Sequence, residues 1–210
     1  MLRYAFALAT DYQDADEAAR CLRALPSPLR ERVEATRDEL LRRQRLAAYN
    51  LLRTVWRLAH GGHMPVMRMC DGEAPTFPAT PQYTCSISHS GEWVFVAITD
   101  EGLVGVDVQE VAPFCDAALS DRISGRFCTE RERHLIDTML PAERPRALAE
   151  LWVQKEAAAK MDGRGISALG SFDTTLPPAQ QPCSVLVLSP VVEGDATGSE
   201  AVAALCFSAR

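Results

Sequence analysis

Three short stretches carry residue types from which a phosphate-handling site could be built. The first is Gly105-Val-Asp107-Val-Gln109. Positions two apart in a strand point to one face, so Asp107 and Gln109 project together while Val106 and Val108 face a core. The second is Trp152-Val-Gln-Lys155-Glu156-Ala-Ala-Ala-Lys160, a helical composition. There Glu156 and Lys160 share a face with Trp152 one turn earlier, and Lys155 lies about 100° round. Taken singly, Asp107 reads as a solvated strand-end acid and Glu156–Lys160 as an ordinary helix-surface pair. Taken together, the two carboxylates suit a hard divalent cation. Magnesium takes oxygen ligands, typically one or two carboxylates completed by water and substrate phosphates. The third stretch is Ser86-Ile-Ser88-His89-Ser90-Gly91. Its hydroxyls, imidazole and backbone N–H groups could meet a phosphate, although a single histidine in such a place is more often a packing or surface residue.

Lysine usage draws attention to the same place. Of the 22 basic residues, all but Lys155 and Lys160 are arginine. An ammonium is a compact point charge where a guanidinium is a planar fork, and an ammonium beside the carboxylates would neutralise phosphate oxygens.

These stretches must be held by strands and helices. Residues 2–9 read as a first strand. Residues 29–59 read as one helical run, with Leu40, Leu41, Ala47, Ala48, Leu51, Leu52 and Val55 at spacings of three and four, ended by Gly61-Gly62. Its arginine-rich face is either solvated or anion-binding. The Pro-rich residues 64–82 read as irregular. Strands are expected over 85–91, 93–98 and 103–109, then short helices over 115–126 and 129–140 and a strong helix from Ala147 to Met161. The tail offers strands 184–189 and 201–207 around a Glu193–Glu200 loop. The order strand, long helix, strands occurs twice. The fold class expected is therefore α+β, with two similar α+β lobes, residues 1–104 and 105–210.

Composition narrows the function classes. With 210 residues, 47% hydrophobic and 24% charged, the chain has the composition of a globular protein and can bury a full core. A net charge of −6 argues against general nucleic-acid binding. No apolar run reaches the roughly 18 to 20 residues of a membrane span. The seven cysteines show no Cys-x-x-Cys spacing, which leaves neither a zinc site nor a disulfide framework to expect. Acids at 11, 14, 16 and 17 follow the short apolar start, so no secretory signal is read and a cytoplasmic protein is expected. No GxxxxGK or GxGxxG occurs.

The ordered set Ser-His-Ser-Gly, Gly-Val-Asp and, about 45 residues on, Trp-x-x-Lys-Glu-x-x-x-Lys resembles the 4'-phosphopantetheinyl transferase superfamily, as does Phe127-Cys-Thr-Glu-Arg-Glu132. The length resembles the monomeric, two-lobed type more than the shorter trimeric one. The resemblance implies a cleft between pseudo-two-fold-related lobes that binds coenzyme A. It implies that Asp107, Gln109 and Glu156 hold Mg²⁺ and that Lys160, with Lys155 nearby, meets the diphosphate. His89 and Ser88 would meet the 3'-phosphate, assisted by Arg45 and Arg30. The phosphopantetheine arm would pass to a serine of an apo acyl or peptidyl carrier protein, releasing 3',5'-ADP, with Glu156 or a metal-bound water as base.

Two departures matter. Gln109 stands where the family often has an acid. The family's Gly-Lys-Pro is replaced by Asp71-Gly-Glu-Ala-Pro75, so that phosphate contact is either missing or supplied by an arginine such as Arg68. They motivate an alternative: a weakened relative that binds coenzyme A or a carrier without transfer. The basic stretch Arg122, Arg126, Arg131 and Arg133 beside Phe127, with the region after Gly163, is expected to face an acidic carrier.

Overall fold

Trp93-Val-Phe-Val-Ala-Ile-Thr99 is a run of aromatic and β-branched residues buried along its whole length. Such a run fits only the middle of a sheet covered on both faces. In a computed structural model, describing residues 1–69, 74–191 and 198–209, it is β3, flanked by β1 (Arg3–Leu8) and β2 (Thr84–Ser90), both antiparallel. Gly91, at φ 52°, turns β2 into β3, and a Cβ there would sit 2.0 Å from the Glu110 carboxylate. The second sheet is also antiparallel. Its central strand β6 (Ala201–Ala209) lies between β4 (Gly102–Glu110) and β5 (Ser184–Leu188). The two sheets share one connectivity, first strand beside third and third beside second, as the repeated order of elements led us to expect. The expected boundary between residues 104 and 105 falls inside β4.

One long helix covers each sheet. α3 (Glu39–His60) sets Leu46, Leu52 and Trp56 against Val94, Val96 and Ile98. α6 (Arg144–Asp162) sets Leu151, Ala157, Ala158 and Met161 against Val202, Ala204 and Cys206. A third core, with Phe95, Ala97, Val106, Val108, Ala203 and Leu205, fills the space between the sheets. The layers thus run helix, sheet, sheet, helix. Each fully buried Val, Leu or Phe side chain stabilises this stack by roughly 1.5–3 kcal/mol.

Two local features place the later site. The single helix expected over 29–59 is in fact two, α2 (Ser27–Glu34) and α3, because the Asp38 carboxylate accepts the Leu41 N–H and starts a new helix. α6 lies unusually close to β4. A Cβ on Gly105 would meet the Ala157 carbonyl oxygen at 1.9 Å, so only glycine admits this approach. The helix stops at Gly163, φ 74°. Among the described residues the other α-helices are α1 (Ala15–Arg23), α4 (Ala117–Phe127) and α5 (Glu130–Thr138). Among the described residues no helix is long and apolar enough to cross a membrane. The Asp71–Glu73 stretch and most of the Glu193–Glu200 loop lie outside the described residues.

Candidate functional site

β2 is an edge strand of the first sheet and β4 an edge strand of the second, and they meet. α3 and α6 rise on either side. Between them is a cleft of about 390 Å³ lined by Arg32, Arg45 and Tyr49 from the first lobe and Asp107, Trp152, Glu156 and Lys160 from the second, with Ser88, His89 and Gln109 at its floor and edge.

Asp107 is almost completely buried. Burying a carboxylate is costly unless it is paired and hydrogen-bonded, and here its partners are complete. Oδ1 accepts from Ser88 Oγ at 2.6 Å and pairs with Lys160 Nζ at 2.7 Å. Oδ2 accepts from Gln109 Nε2 at 3.3 Å. Lys160 also donates to Ser88 Oγ at 3.0 Å, closing a triangle of Asp107, Ser88 and Lys160. Glu156 lies one turn before Lys160. Loss of water raises its pKa above 4.5, the Asp107 charge raises it further, and Lys160 partly opposes both. The two carboxylates repel on one wall of the cleft, and a divalent cation there would add positive charge to that of Lys160. Among the described residues no group of three or more His, Cys, Asp and Glu could hold a metal. The Asp107 and Glu156 carboxylates line this wall, while the Gln109 amide turns its Nε2 toward Asp107 and its Oε1 accepts the Ser90 hydroxyl at 3.1 Å.

His89 stands on the other wall. Loss of water lowers its pKa below 6.5, and the charges of Lys160 and Arg45 lower it further against the opposing pull of Asp107. The neutral ring is therefore the favoured form when the cleft holds no anion. Titration of its ring carbons by NMR is expected to give a midpoint under 6.5, and a bound phosphate ester should move it upward with net proton uptake. An unshifted midpoint that ignores phosphate would contradict this placement. The linkage sign follows. The folded pKa lies below the unfolded one, so the unfolded chain binds more protons, and His89 costs stability as pH falls through 6.5.

The remaining expected residues divide. Arg45 lines the cleft, its Nη1 held at 2.6 Å by Thr36 Oγ1 in the α2–α3 joint. Arg30 does not line it. Its Nη2 donates to Ser27 Oγ on its own helix. Arg32, about 200° further round α2, lines the cleft instead. Arg68 is exposed in an isolated bridge to Thr76 and is also absent from the lining.

Lys155 requires a correction. It is 1% exposed, away from the cleft, and its Nζ pairs with Glu132 Oε2 at 2.9 Å. It also donates to the carbonyls of Leu169 and Phe172. The physical reason is the angle already noted: about 100° round from Glu156 is the side of α6 that faces α5 and the loop after Gly163. Sequence reasoning missed Glu132 as its partner. The signal was present in Thr129-Glu-Arg-Glu132, a capping box whose carboxylate both closes the start of α5 and receives the lysine. Trp152 is set by an edge-on contact with Phe127, ring centroids 5.3 Å apart.

Residues 103–206 match the family described as the 4'-phosphopantetheinyl transferase superfamily. The likeness to that superfamily thus rests on 104 of the 210 residues. Among curated proteins it is similar to the 4'-phosphopantetheinyl transferase psf-1 of Bacillus pumilus, 38% identical over 104 residues, 49% of this chain and 42% of that protein. It is similar to the 4'-phosphopantetheinyl transferase Sfp of Bacillus subtilis (strain 168), 32% identical over 103 residues, 49% and 43% of the two chains. It is also similar to the 4'-phosphopantetheinyl transferase AcpT of Salmonella typhimurium, 28% identical over 117 residues, 55% and 59% of the two chains. The chain thus spans about half the length of the curated relatives it matches.

Proposed function

We propose that the protein is a Mg²⁺-dependent transferase that moves 4'-phosphopantetheine from coenzyme A to a serine of an apo acyl or peptidyl carrier protein. The carrying observation is that Asp107 and Glu156, from a strand and a helix 49 residues apart, face one cleft whose opposite wall is cationic through Arg32 and Arg45. A ligand with a diphosphate and a separate monophosphate has the charge pattern that this arrangement complements. Similarity to proteins named 4'-phosphopantetheinyl transferase supports the same reading.

In this reading Asp107 and Glu156 would hold Mg²⁺, with Gln109 reaching it directly or through water, and the cation would neutralise charge on the diphosphate and on the leaving group. Lys160 reaches phosphate oxygens from the same side. His89, Arg45 and Arg32 take the 3'-phosphate. The carrier's serine oxygen attacks the β-phosphorus, forming the new P–O bond. The bond to the bridging oxygen breaks, and 3',5'-ADP leaves with the electron pair. Glu156 or a water beside it takes the serine proton. Incubating the protein with coenzyme A, Mg²⁺ and a panel of apo carriers should add the mass of phosphopantetheine to one of them. Binding of coenzyme A with no mass gain across the panel would favour the weakened relative instead, for which the neutral Gln109 is the specific motive.

The carrier is expected to dock beside Phe127. Arg122, Arg126 and Arg131 are exposed there, and Arg126 lies over the Phe127 ring. Arg133 is committed to the Cys128 carbonyl, so three of the four expected arginines remain for a partner. On a protein of net charge −6, a local basic patch is what an acidic carrier needs. Reversing the three charges should raise KM for the carrier about tenfold and leave KM for coenzyme A nearly unchanged. The opposite pattern would reject the assignment.

A further inference from the structure

The hydroxyl residues of β2 fall at every second position: Thr84, Ser86, Ser88 and Ser90. Their cross-strand neighbours Ala97, Phe95 and Trp93 place the three serines on the face of the first sheet that packs on the second. The groups they meet climb β4 in step. Thr84 Oγ1 donates to the Gly102 carbonyl at 2.8 Å. Ser86 Oγ accepts the Val106 N–H at 3.0 Å, Ser88 Oγ the Val108 N–H at 3.4 Å, and Ser90 Oγ the Glu110 N–H at 3.2 Å. The partner numbers rise together, so β2 and β4 run parallel at this seam.

We propose that this hydroxyl column is a set of positioning residues. It replaces a backbone ladder between the two sheets and fixes the register in which His89 and Arg45 of one lobe face Asp107, Glu156 and Lys160 of the other. Both strands are edges, and an edge strand leaves a row of backbone groups to be satisfied. Among the described residues the lobes also meet through the apolar core around Phe95 and Val106 and through the Trp93 Nε1 hydrogen bond to Ser199 Oγ at 3.1 Å, which lies at the start of β3. Apolar packing is non-directional and tolerates sliding, which hydrogen bonds at fixed steps do not. A hydroxyl both donates and accepts, and the column uses both capacities. Ser88 accepts from the Val108 N–H and donates to Asp107 Oδ1, while Ser90 accepts from the Glu110 N–H and donates to Gln109 Oε1 at 3.1 Å. Those two rungs set strand register and aim a cleft side chain together. Thr84 and Ser86 bond to β4 backbone, so these two set register without aiming a cleft side chain.

The functional consequence rests on the reading of the cleft as a coenzyme A site, and the test separates the two. In Ser86→Ala the Val106 amide loses its acceptor, and its hydrogen exchange should rise about tenfold while the fold is retained. Affinity for coenzyme A, which would span both lobes, should fall about tenfold. Affinity for Mn²⁺ alone, read by electron paramagnetic resonance, should stay within about twofold, because Asp107 and Glu156 belong to the same lobe. Ser86→Thr restores the hydroxyl and should recover coenzyme A binding. Thr84→Val, at the outer end, should act in the same direction more weakly and serves if Ser86→Ala does not fold. Unchanged Val106 exchange in Ser86→Ala overturns the column as a structural link. Coenzyme A affinity within twofold of wild type in both variants, or a parallel fall of Mn²⁺ and coenzyme A, overturns its positioning role. Failure of the unaltered protein to bind coenzyme A overturns the function proposed above, and the exchange measurement still decides whether the column joins the lobes.

Discussion

Asp107→Asn and Glu156→Gln are each expected to lower phosphopantetheine transfer about a thousand-fold while leaving the fold intact, since each removes charge and keeps shape. Asn at 107 can still accept the Ser88 hydroxyl, so the β2–β4 seam survives. Alanine at 107 would also strand Lys160 and Ser88, which share Asp107 Oδ1, and its effect would mix chemistry with stability. The sharper measurement is coenzyme A binding with and without Mg²⁺. In a chelator, Asp107 and Glu156 repel the diphosphate, so both charge-removing variants should bind coenzyme A at least as tightly as wild type. With Mg²⁺ the order should reverse, because the wild-type pair recruits a cation that the variants hold poorly. Near wild-type turnover by either variant at saturating Mg²⁺ would remove these two carboxylates from the chemistry.

The parts of this site legible in the sequence are those whose geometry is local. Strand alternation puts Asp107 and Gln109 on one face, and helical spacing puts Trp152, Glu156 and Lys160 on another. The hairpin of β2 and β3 is announced by its β-branched run and Gly91. What failed to show is long-range. The α2–α3 break hides in a charged surface pattern, since Asp38 as a cap looks like one more solvated acid until the chain direction changes. That break decides that Arg32 rather than Arg30 reaches the cleft. The serines of β2 invite reading as phosphate contacts, because nothing local reveals that each hydroxyl is answered by an N–H 20 residues on. Lys155 is the sharpest case. Leu148, Leu151, Val153, Ala157, Ala158 and Met161 are buried all round α6, so its wheel has no clear outer face from which to decide which lysine is inside.

Lys155→Met is accordingly expected to be a stability variant and not a binding variant. The pair it breaks is closed on every side. Lys155 Nζ has three acceptors, in Glu132, Leu169 and Phe172. Glu132, itself fully buried, accepts from the Thr129 N–H through Oε2 and from the Thr174 N–H and hydroxyl through Oε1. Together they tie the start of α5 and the loop after Gly163 to the back of α6. Removing one member leaves an uncompensated charge in the core and should cost about 3–5 kcal/mol, read from the denaturant midpoint. The double variant Glu132→Gln with Lys155→Met removes both charges and should recover part of that loss, because two buried ions are exchanged for neutral groups of similar volume. Below the unfolding transition, coenzyme A affinity of Lys155→Met should match wild type, since the ammonium is buried against α5, outside the cleft. A variant that kept its midpoint and lost coenzyme A binding would return Lys155 to the phosphates.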